Sequence, residues 1–488
     1  MFFTFTNYTA HLVIIKGTSA WRGSGCGYQD LDAASLLQMA GRAGRPGFDT
    51  SGTVVIMTDH ASTGRVDQLC NGLGPVESQL ENKLIEVINS EISQQVIGSP
   101  DAALNWIKET LYFVQVRKNP AKFGIKMQHH SSSDKAIDAF LLYQCEHRIQ
   151  KLLQLGLIQE NKEYGDYMPL PASQIMASNL VDFQATELFV GLPFDSSQRQ
   201  VLTALCQIDD LQRPVRKHEK KQLNEAHKDI QHKLLDGPLS KIRVQRPFQK
   251  AFVLLQACIG RHDFADYTLR QEMTQMVEYC RRMLTALEEY SAKGSKHGHV
   301  AAQSLKLRRS LVSCLWGEDD GVLNQIHGVW PKTTAALRMH GIVTFKHVQE
   351  ASAKALEKAG GRPSPFGSQL KGAVDKLINS SLQMSAEVIY KSGSNVPDHI
   401  TCIVESRNPR NVAMGQSATE QAPVVTYTLI AYADTPGSCL HFQDNISSSD
   451  TIKFKCPEKF GLVVIQLIAS TVGLDGKICS SFFFAEPE

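Results

Sequence analysis

Several features that would place this chain in a membrane or outside the cell are missing from its sequence. No apolar run reaches the roughly 18 residues that a membrane-spanning helix needs. The apolar N-terminus at Met1–Phe5 has neither the basic start nor the long apolar core of a signal peptide. The eleven cysteines include no Cys-x-x-Cys pair, which favours reduced, mostly buried thiols over a zinc site or a disulfide framework. We therefore expect an intracellular protein with no membrane partner.

Two motifs of a complete nucleotide-hydrolysing site are also missing. A P-loop, Gly-x-x-x-x-Gly-Lys-Ser/Thr, holds phosphates on its backbone N–H groups, and no such run occurs. Gly476-Lys477 is followed by isoleucine, and Asn224-Glu-Ala-His227 has asparagine where a magnesium-binding Asp-Glu-x-His begins with aspartate. His129-His130 and His297-Gly-His299 are expected to be exposed loop histidines, so no metal site is predicted. By itself the chain is not expected to hydrolyse ATP.

The composition describes a folded protein of several domains. A length of 488 residues corresponds to about three to four domains. Hydrophobic residues at 42% and charged residues at 20% are sufficient for a large core. The net charge of +2 argues neither for nor against nucleic acid, but its distribution is uneven. Residues 213–250 contain 11 Lys and Arg against 4 Asp and Glu, which concentrates positive charge in one segment.

The first part of the chain has the pattern of a parallel α/β unit. Apolar, β-branched runs at His11–Ile15 and Gly52–Met57 predict two strands, with a helix from about Asp32 to Ala43 between them. Residues 134–170 then read as a helix followed by two short extended pieces. That order is typical of a winged helix.

The rest of the chain is predicted to be mostly helical and then β. Residues 180–315 have helical periodicity almost throughout, as in a helical bundle, and residues 320–380 form short helices broken by glycine. From about Val388 the apolar period changes to two, and turn signals recur. This pattern indicates a small β-sandwich.

The sharpest chemical signal is the run Gln38-Met-Ala-Gly41-Arg42-Ala-Gly44-Arg45-Pro46 at the end of the predicted α/β helix. Two arginines three residues apart, each preceded by glycine, bring guanidinium groups close to backbone that a triphosphate could approach. Such groups can stabilise charge on a transferring phosphoryl group. The alternative is a solvated arginine pair at a helix end, and the spacing alone does not separate the two.

This run resembles motif VI of the superfamily-two helicases. The longer stretch Leu36–Asp49 with Val54–Thr58 is similar to the Ski-type branch, and His11–Thr18 is similar to the strand after motif V there. Further segments match that branch in order, and two of them look most like the helicases of meiotic crossover formation, more than the spliceosomal members. The ordered matches are Val76–Gln79, Ala102–Trp106 with Tyr112, and a hairpin near Ile326; the two crossover-type segments are Arg216–Asn224 and Gly361–Gly367.

The resemblance implies an ATP site shared between two domains. In that family Gln38, Arg42 and Arg45 would face the γ-phosphate of ATP from the second RecA-like domain, with Arg45 as the arginine finger. Gly41 and Gly44 would lie beside the nucleotide. ATP with magnesium is implied as cofactor only together with the P-loop half, which we expect to be missing with the first RecA-like domain. The chain would be the C-terminal part of a helicase or a genuine shortened isoform.

The resemblance also divides the chain into five parts and implies partners. It implies single-stranded or branched DNA, possible recombination proteins and a nuclear location. The terminal sandwich is expected to dock against the helicase core or a partner protein. The parts are the end of the second RecA-like domain (1–94), a winged helix (95–180), a helical ratchet bundle (181–318), a helix-hairpin-helix (319–384) and an immunoglobulin-like β-sandwich (385–488).

Two segments are candidates for nucleic-acid contact. In the hairpin around Gly328, Lys332 and Thr333 lie where a helix begins, so backbone N–H groups and one ammonium could meet a phosphate. Trp330 stands where such hairpins usually have a second glycine, and a purely structural hairpin is the alternative. In the Gln271–Tyr290 helix, Arg282 is a candidate strand contact beside an apolar core stripe.

The basic segment supplies the remaining candidates. Lys217, Lys220 and Lys221 could track a phosphate backbone and give salt-dependent binding without sequence preference. A solvated charged face is the alternative. Three functions therefore stay open: part of an ATP-dependent 3′–5′ DNA helicase, a non-catalytic nucleic-acid-binding or scaffold protein, and an RNA helicase of the spliceosomal type.

Overall fold

A computed structural model describes most of the chain. The described residues are 10–21, 28–31, 33–45, 47–70, 77–125, 133–161, 163, 165–234, 243–317, 321–379, 381–390, 397–406, 425–433, 438–455, 462–470 and 479–483. They form helices and several small sheets, which agrees with the predicted change from α/β to helical to β structure. Within these ranges no helix is both long enough and apolar enough to cross a bilayer.

The N-terminal unit contains the predicted parallel strand pair. Strand β1 (Leu12–Lys16) pairs in parallel with β4 (Thr53–Met57), and helix α1 (Ala33–Ala40) lies between them in sequence. One face of this pair is apolar and uncovered, because Ile14 is 59% exposed and Met57 54%. The remaining elements are the hairpin β2 (Ser19–Trp21) and β3 (Tyr28–Asp30) and helix α2 (Thr63–Cys70).

The next elements form a helical layer with a small hairpin. The segment Ala102–Val116 spans two helices, because the second begins after Thr110, whose hydroxyl accepts from the Phe113 N–H. The predicted helix and hairpin at 134–170 are confirmed. The elements are a 3₁₀ turn (Leu80–Lys83), α3 (Leu84–Ser93), α4 (Pro100–Lys108), α5 (Leu111–Lys118), a 3₁₀ turn (Pro120–Phe123), α6 (Ser133–Gln154), β5 (Ile158–Glu160) and β6 (Tyr167–Pro169).

A bundle of helices follows without a break in the hydrophobic core. One cluster of buried side chains runs from Leu84 to Trp316, so residues on both sides of the predicted boundary at 180 share it. The division at that boundary remains a prediction. The helices are α7 (Pro171–Ser178), α8 (Phe183–Val190), α9 (Gln198–Cys206), α10 (Lys220–Asp229), α11 (Pro247–Ile259), α12 (Tyr267–Glu289) with a π-helical turn (Tyr290–Gly294), and α13 (Gly298–Ser313).

A second core joins the last helices to the terminal strands. The elements are a 3₁₀ turn (Val322–Gln325), α14 (Pro331–Met339), α15 (Phe345–Glu350), α16 (Ala353–Gly360), α17 (Phe366–Asn379), β7 (Leu382–Tyr390), β8 (Pro397–Ser406), β9 (Tyr427–Ala433), β10 (Cys439–Ile446), β11 (Asp450–Lys455), β12 (Leu462–Ala469) and β13 (Cys479–Phe483). The core extends from Leu315 to Ala469, and Ile400, Cys402 and Val404 of β8 contribute to it at alternating positions. Two sheets of order β10-β9-β12-β13 and β11-β8-β7 form it together with the helices.

Helix α13 docks the four-stranded sheet onto the bundle. Ala301 and Ala302 pack against Ile430 and Tyr432 of β9 in a third apolar cluster. Gly298 makes the approach possible, since a Cβ at this position would lie 2.3 Å from the Tyr432 Cβ. Because β9 is covered on both faces, all seven of its residues are buried, and the strand shows no alternation.

Gly367, within the Gly361–Gly367 segment, is expected to be intolerant of a side chain. A Cβ there would lie 2.0 Å from the carbonyl oxygen of Ala353, the first residue of α16. Gly367→Ala should therefore cost about 1–3 kcal/mol in the free energy of unfolding. Gly372→Ala in the same helix meets nothing within 4 Å, and should be neutral or stabilising by up to about 1 kcal/mol. Urea unfolding of both variants checks this; equal midpoints would show that α16 and α17 do not approach this closely.

Candidate functional site

The segment with Arg42 and Arg45 is held against the parallel strand pair by backbone hydrogen bonds. Helix α1 ends at Ala40, so Arg42 lies in the turn that follows. The Ala10 N–H donates to the Arg42 carbonyl at 3.0 Å, and the Gly44 N–H donates to the Ala10 carbonyl at 2.7 Å. These bonds form a parallel bridge next to β1 and fix the backbone on which both arginines stand.

Glycines are required at this turn for different reasons. Gly44 has φ +90°, a left-handed conformation that side chains rarely adopt. Gly52 faces it closely, because a Cβ at Gly52 would lie 2.5 Å from both the Ala43 carbonyl carbon and the Gly44 nitrogen. A Cβ at Gly41 would lie 3.2 Å from a helix carbonyl oxygen, a tight but smaller conflict. The sequence predicted no role for Gly52, although this glycine is the first residue of a predicted strand.

Arg42 borders an open cleft beside β1. The cleft has a volume of about 430 Å³, and Lys16, Gly17 and Met39 are among its other lining residues. Arg42 and Gln38 are both exposed, with Gln38 on α1 one turn before Arg42. The lining is mainly apolar, and Lys16 and Arg42 are the cationic side chains in it that could meet an anionic ligand such as a phosphate chain.

Arg45 is bound to a carboxylate that the sequence analysis did not consider. Its Nε donates to Asp49 Oδ2 at 2.8 Å and its Nη2 to Asp49 Oδ1 at 3.1 Å, while the guanidinium lies 5.9 Å from the Phe48 ring centroid. The hydrogen bond from Arg45 lowers the pKa of Asp49 to about 2. The Arg45 side chain is still 50% exposed. Asp49 takes up two of the N–H donors of Arg45, and the remaining donors are available to a phosphate. The spacing of four residues was the available signal for this ion pair.

The three predicted lysines of the basic segment are on the surface. Lys217, Lys220 and Lys221, here called the lysine surface, are all exposed and lie before and within the first turn of α10. The Gln222 side chain accepts from the Ala265 N–H at 3.0 Å and ties α10 to the loop before α12. The ammonium groups therefore face solvent from an anchored helix.

Beneath the lysine surface lies a group of four charged side chains, here called the buried charge cluster. Lys250 is fully buried, with its Nζ 2.6 Å from Glu219 Oε1, 2.7 Å from Glu272 Oε2 and 3.1 Å from the Pro214 carbonyl. Arg216 Nη2 donates to Glu272 Oε1 at 2.7 Å. Counting Lys250 as part of a basic surface was wrong, because it neutralises buried carboxylates. The cluster joins the 214–219 segment to α11 and α12.

Arg282 lies on the solvent side of α12. Its guanidinium carbon is 5.2 Å from the Tyr279 ring centroid, whereas neighbouring Arg281 pairs with Glu278 at 3.0 Å. The opposite side of α12 contributes Met276 and other apolar residues to the core, as predicted for the stripe. Arg282 is thus accessible to a strand, although the structure does not bring it into contact with the lysine surface.

The segment of the predicted hairpin contains a glycine turn followed by helix α14. Gly328 turns the chain with φ +83°, and Trp330 precedes the helix with 65% of its surface exposed. Lys332 is exposed, but the Thr333 side chain is buried at 6% exposure. Thr333 can therefore contribute only its backbone N–H, which is one of the first-turn N–H groups that have no intrahelical partner. Thr334 donates its hydroxyl to Asn324 Oδ1 at 2.5 Å and fixes the turn.

The other histidine and cysteine expectations have mixed outcomes. His299 is not a loop histidine, because it lies in the first turn of α13 with its ring 5.9 Å from that of Tyr432. The cysteines that the structure describes are free thiols, and Cys145, Cys206, Cys280 and Cys402 are buried. In the described ranges no three His, Cys, Asp or Glu side chains are grouped to hold a metal. His129, His130, Cys456 and Gly476-Lys477 lie outside the described residues.

The sequence matches an established family over most of the helical and sheet region. Residues 169–452 match the Sec63 Brl domain family. This match covers more than half of the chain, and the chain therefore belongs to that family. The region includes the lysine surface, the buried charge cluster and the hairpin at α14.

Among its curated relatives are proteins described as DNA helicases. The chain is 30% identical over 379 residues to the ATP-dependent DNA helicase MER3 homolog of Oryza sativa, covering 76% of this chain and 31% of that protein. It is 29% identical over 490 residues to the probable ATP-dependent DNA helicase HFM1 of Homo sapiens, covering 99% of this chain and 33% of that protein. The chain thus spans about a third of the length of these relatives.

Relatives from splicing are more distant. The pre-mRNA-splicing factor brr2 of Schizosaccharomyces pombe is 27% identical over 317 residues, covering 64% of this chain and 14% of that protein. The resemblance predicted from Gln38–Arg45 and the later segments is confirmed by these comparisons.

Proposed function

We propose that this chain is the C-terminal portion of an ATP-dependent 3′–5′ DNA helicase that acts in meiotic crossover formation. The observation that carries the proposal is the turn with Arg42 and Arg45, which is held against β1. It occurs in a chain of which 99% aligns with a relative described as a probable DNA helicase. The chain binds and guides single-stranded DNA, and its turn completes an ATP site whose P-loop half is absent from these residues.

The nucleotide half of the proposal rests on Arg42 and Arg45. Both are exposed and stand on a fixed backbone, so they are available to a γ-phosphate that another domain presents. Gly41 and Gly44 leave the approach open, and Gln38 lies one turn away. ATP with magnesium supplies the phosphoryl group, and the arginines stabilise the charge that develops on it. The uncovered apolar face of β1 and β4 supports the proposal that further strands of a longer protein pack there.

The nucleic-acid half rests on accessible cations in three places. The lysine surface, Arg282 and Lys332 are all exposed. They would follow the backbone of single-stranded or branched DNA, with the Lys332 and Thr333 N–H groups meeting a phosphate at the hairpin. Trp330 would add a stacking surface for a base beside them.

The proposal includes the domain names that the resemblance implies. The β1–β4 unit would be the end of the second RecA-like domain, and residues 95–180 a winged helix. The bundle would be the ratchet, the α14–α17 segment a helix-hairpin-helix, and the terminal sheets an immunoglobulin-like sandwich. Recombination proteins are the proposed partners, and the nucleus the proposed location.

Charge reversal on the lysine surface is expected to weaken DNA binding. Replacing Lys217, Lys220 and Lys221 with glutamate should lower affinity for single-stranded DNA and reduce the slope of log affinity against log salt by about one per lost phosphate contact. Fluorescence anisotropy at several salt concentrations measures both. A control variant makes the same three reversals at the exposed residues Lys118, Lys135 and Lys151. Equal losses in the two variants would mean that the lysine surface is only a solvated face.

Two other functions make different predictions. A non-catalytic scaffold protein built from the same domains would bind DNA without any functional link to a motor domain. A helicase of the spliceosomal type would prefer RNA. The lower identity to the splicing relative makes this alternative less favoured than a DNA helicase. Comparing duplex DNA with duplex RNA unwinding by a longer protein that carries the P-loop half separates the two helicase readings.

A further inference from the structure

Two cysteines from separate helices meet at one end of the bundle. Cys258 is in the last turn of α11, and Cys314 follows the last residue of α13 with φ +49°. Their sulfur atoms are 3.9 Å apart, and both side chains are partly exposed. The buried thiols elsewhere in the bundle are enclosed by apolar side chains. Among the cysteines that the structure describes, Cys258 and Cys314 are therefore the pair whose sulfurs are in contact and whose residues are partly exposed to solvent.

Arg261 organises the surroundings of this pair. Its Nε donates to the Cys314 carbonyl at 3.1 Å, and its Nη2 donates to the carbonyls of Ser313 and Asn324, each at 3.2 Å. The guanidinium therefore holds the end of α13 next to the chain that leads to α14. It also places a fixed positive charge beside the Cys314 sulfur.

The two thiols have different acidities. The hydrogen bond with Cys258 and the nearby Arg261 charge lower the pKa of Cys314 against the opposing effect of burial. The same hydrogen bond and burial raise the pKa of Cys258. Of the two sulfurs, Cys314 is therefore the one on which the thiolate is favoured. By contrast, burial raises the pKa of Cys145 to about 11.

We propose that Cys258 and Cys314 form a peroxide-reactive dithiol, in which Cys314 is oxidised first and Cys258 resolves it as a disulfide. The Cys314 thiolate attacks hydrogen peroxide, an S–O bond forms, the O–O bond breaks, and hydroxide takes up a proton to leave as water. The Cys258 sulfur then attacks the sulfenic sulfur, the S–S bond forms, and the Cys258 proton leaves with the hydroxyl as a second water. The dithiol loses two electrons, and the peroxide gains them.

The fold favours the disulfide over further oxidation of Cys314. Disulfide formation requires the sulfurs to approach from 3.9 Å to about 2.05 Å. The bond would join the ends of α11 and α13 next to the Arg261 contacts, where the chain leaves the bundle. The site is separate from the arginine turn and the lysine surface, and does not depend on the proposed helicase function.

Peptide mapping of the 488-residue chain after hydrogen peroxide treatment at neutral pH tests the proposal. The expected product is a Cys258–Cys314 cross-linked peptide that dithiothreitol reverses, formed at least about tenfold faster than modification of Cys70. Cys70 is the exposed thiol that serves as the accessibility control. In Cys258→Ser, dimedone should trap a sulfenic acid on Cys314, and in Cys314→Ser it should trap none on Cys258.

The mapping of the unmutated chain decides the matter even if a variant does not fold. A cross-link that is absent, or that forms no faster than Cys70 reacts, would overturn the proposal. Dimedone trapping on Cys258 with Cys314 unmodified would reverse the assigned roles and contradict it as well.

Discussion

Replacing Arg45 with alanine is expected to lower the ATPase rate about 10³-fold or more in a longer protein that supplies the P-loop half of the site. An arginine finger neutralises charge that exists fully only in the transition state, so its loss appears mainly in kcat. In this chain the Arg45 side chain donates two hydrogen bonds to the Asp49 carboxylate. That contact positions an exposed guanidinium without burying it, and a phosphate can replace the carboxylate.

The control for Arg45→Ala is the removal of an arginine of similar exposure. Arg117 has a 62% exposed side chain and a single 3.7 Å ion pair with Asp134, so Arg117→Ala should leave turnover unchanged. Steady-state ATP hydrolysis with saturating single-stranded DNA measures both variants, and unfolding midpoints confirm that both are folded. If Arg45→Ala retained its ATP turnover, Arg45 would not be the arginine finger, and Arg42 would be the remaining candidate.

Replacing Lys250 with methionine is expected to destabilise the bundle by about 3–5 kcal/mol. The substitution keeps an unbranched side chain one heavy atom shorter than lysine, and it leaves Glu219 and Glu272 with Arg216 as their remaining cation in the buried charge cluster. Removing one partner of a buried ion pair costs far more than an exposed pair contributes, because the remaining charge stays desolvated. The loss should appear in the free energy of unfolding measured with urea.

A second lysine in the same segment provides the matched control. Lys220 is exposed, so Lys220→Met should change stability by no more than about 0.5 kcal/mol. Adding Glu219→Gln to Lys250→Met removes one uncompensated carboxylate and should recover part of the loss. Equal effects of Lys250→Met and Lys220→Met would mean that the buried charge cluster does not form.

The α/β start and the order of helices could be predicted because their apolar patterns are local. The β-branched runs at β1 and β4 and the helical spacing in α6 and α12 do not depend on distant contacts. Helix α13 illustrates the limit. His297-Gly-His299 was expected to lie in a loop, but Gly298 begins α13 and allows the close contact with Tyr432, and His299 is helical.

The charged residues were the hardest to place from sequence. A count of charges predicts a surface, and this was right for Lys217, Lys220 and Lys221 but wrong for Lys250. The signal for Lys250 was present, because it is the only charged residue of the mostly apolar helix α11. Its partners Glu219 and Glu272 come from distant parts of the chain, and only the tertiary fold joins them.

The turn with Arg42 and Arg45 could be found from the sequence by its resemblance to a helicase motif and by its chemistry. The contacts that these side chains make in the structure could not. Spacing alone left a solvated pair as an equal alternative, and the pairing of Arg45 with Asp49 was not considered. Gly52 was also missed, since a close backbone approach leaves no periodic pattern in sequence. These are properties of loops, whose geometry depends on the strands that hold them.

The most direct measurement of the central claim is ATP turnover by the 488-residue chain, with DNA binding measured on the same sample. The arginine turn alone lacks a phosphate-cradling loop, so we expect binding of single-stranded DNA without turnover above background. Turnover would then require a protein that adds the P-loop half. Robust ATP hydrolysis by the 488 residues alone would contradict the account, because it would require a nucleotide site that does not use a P-loop.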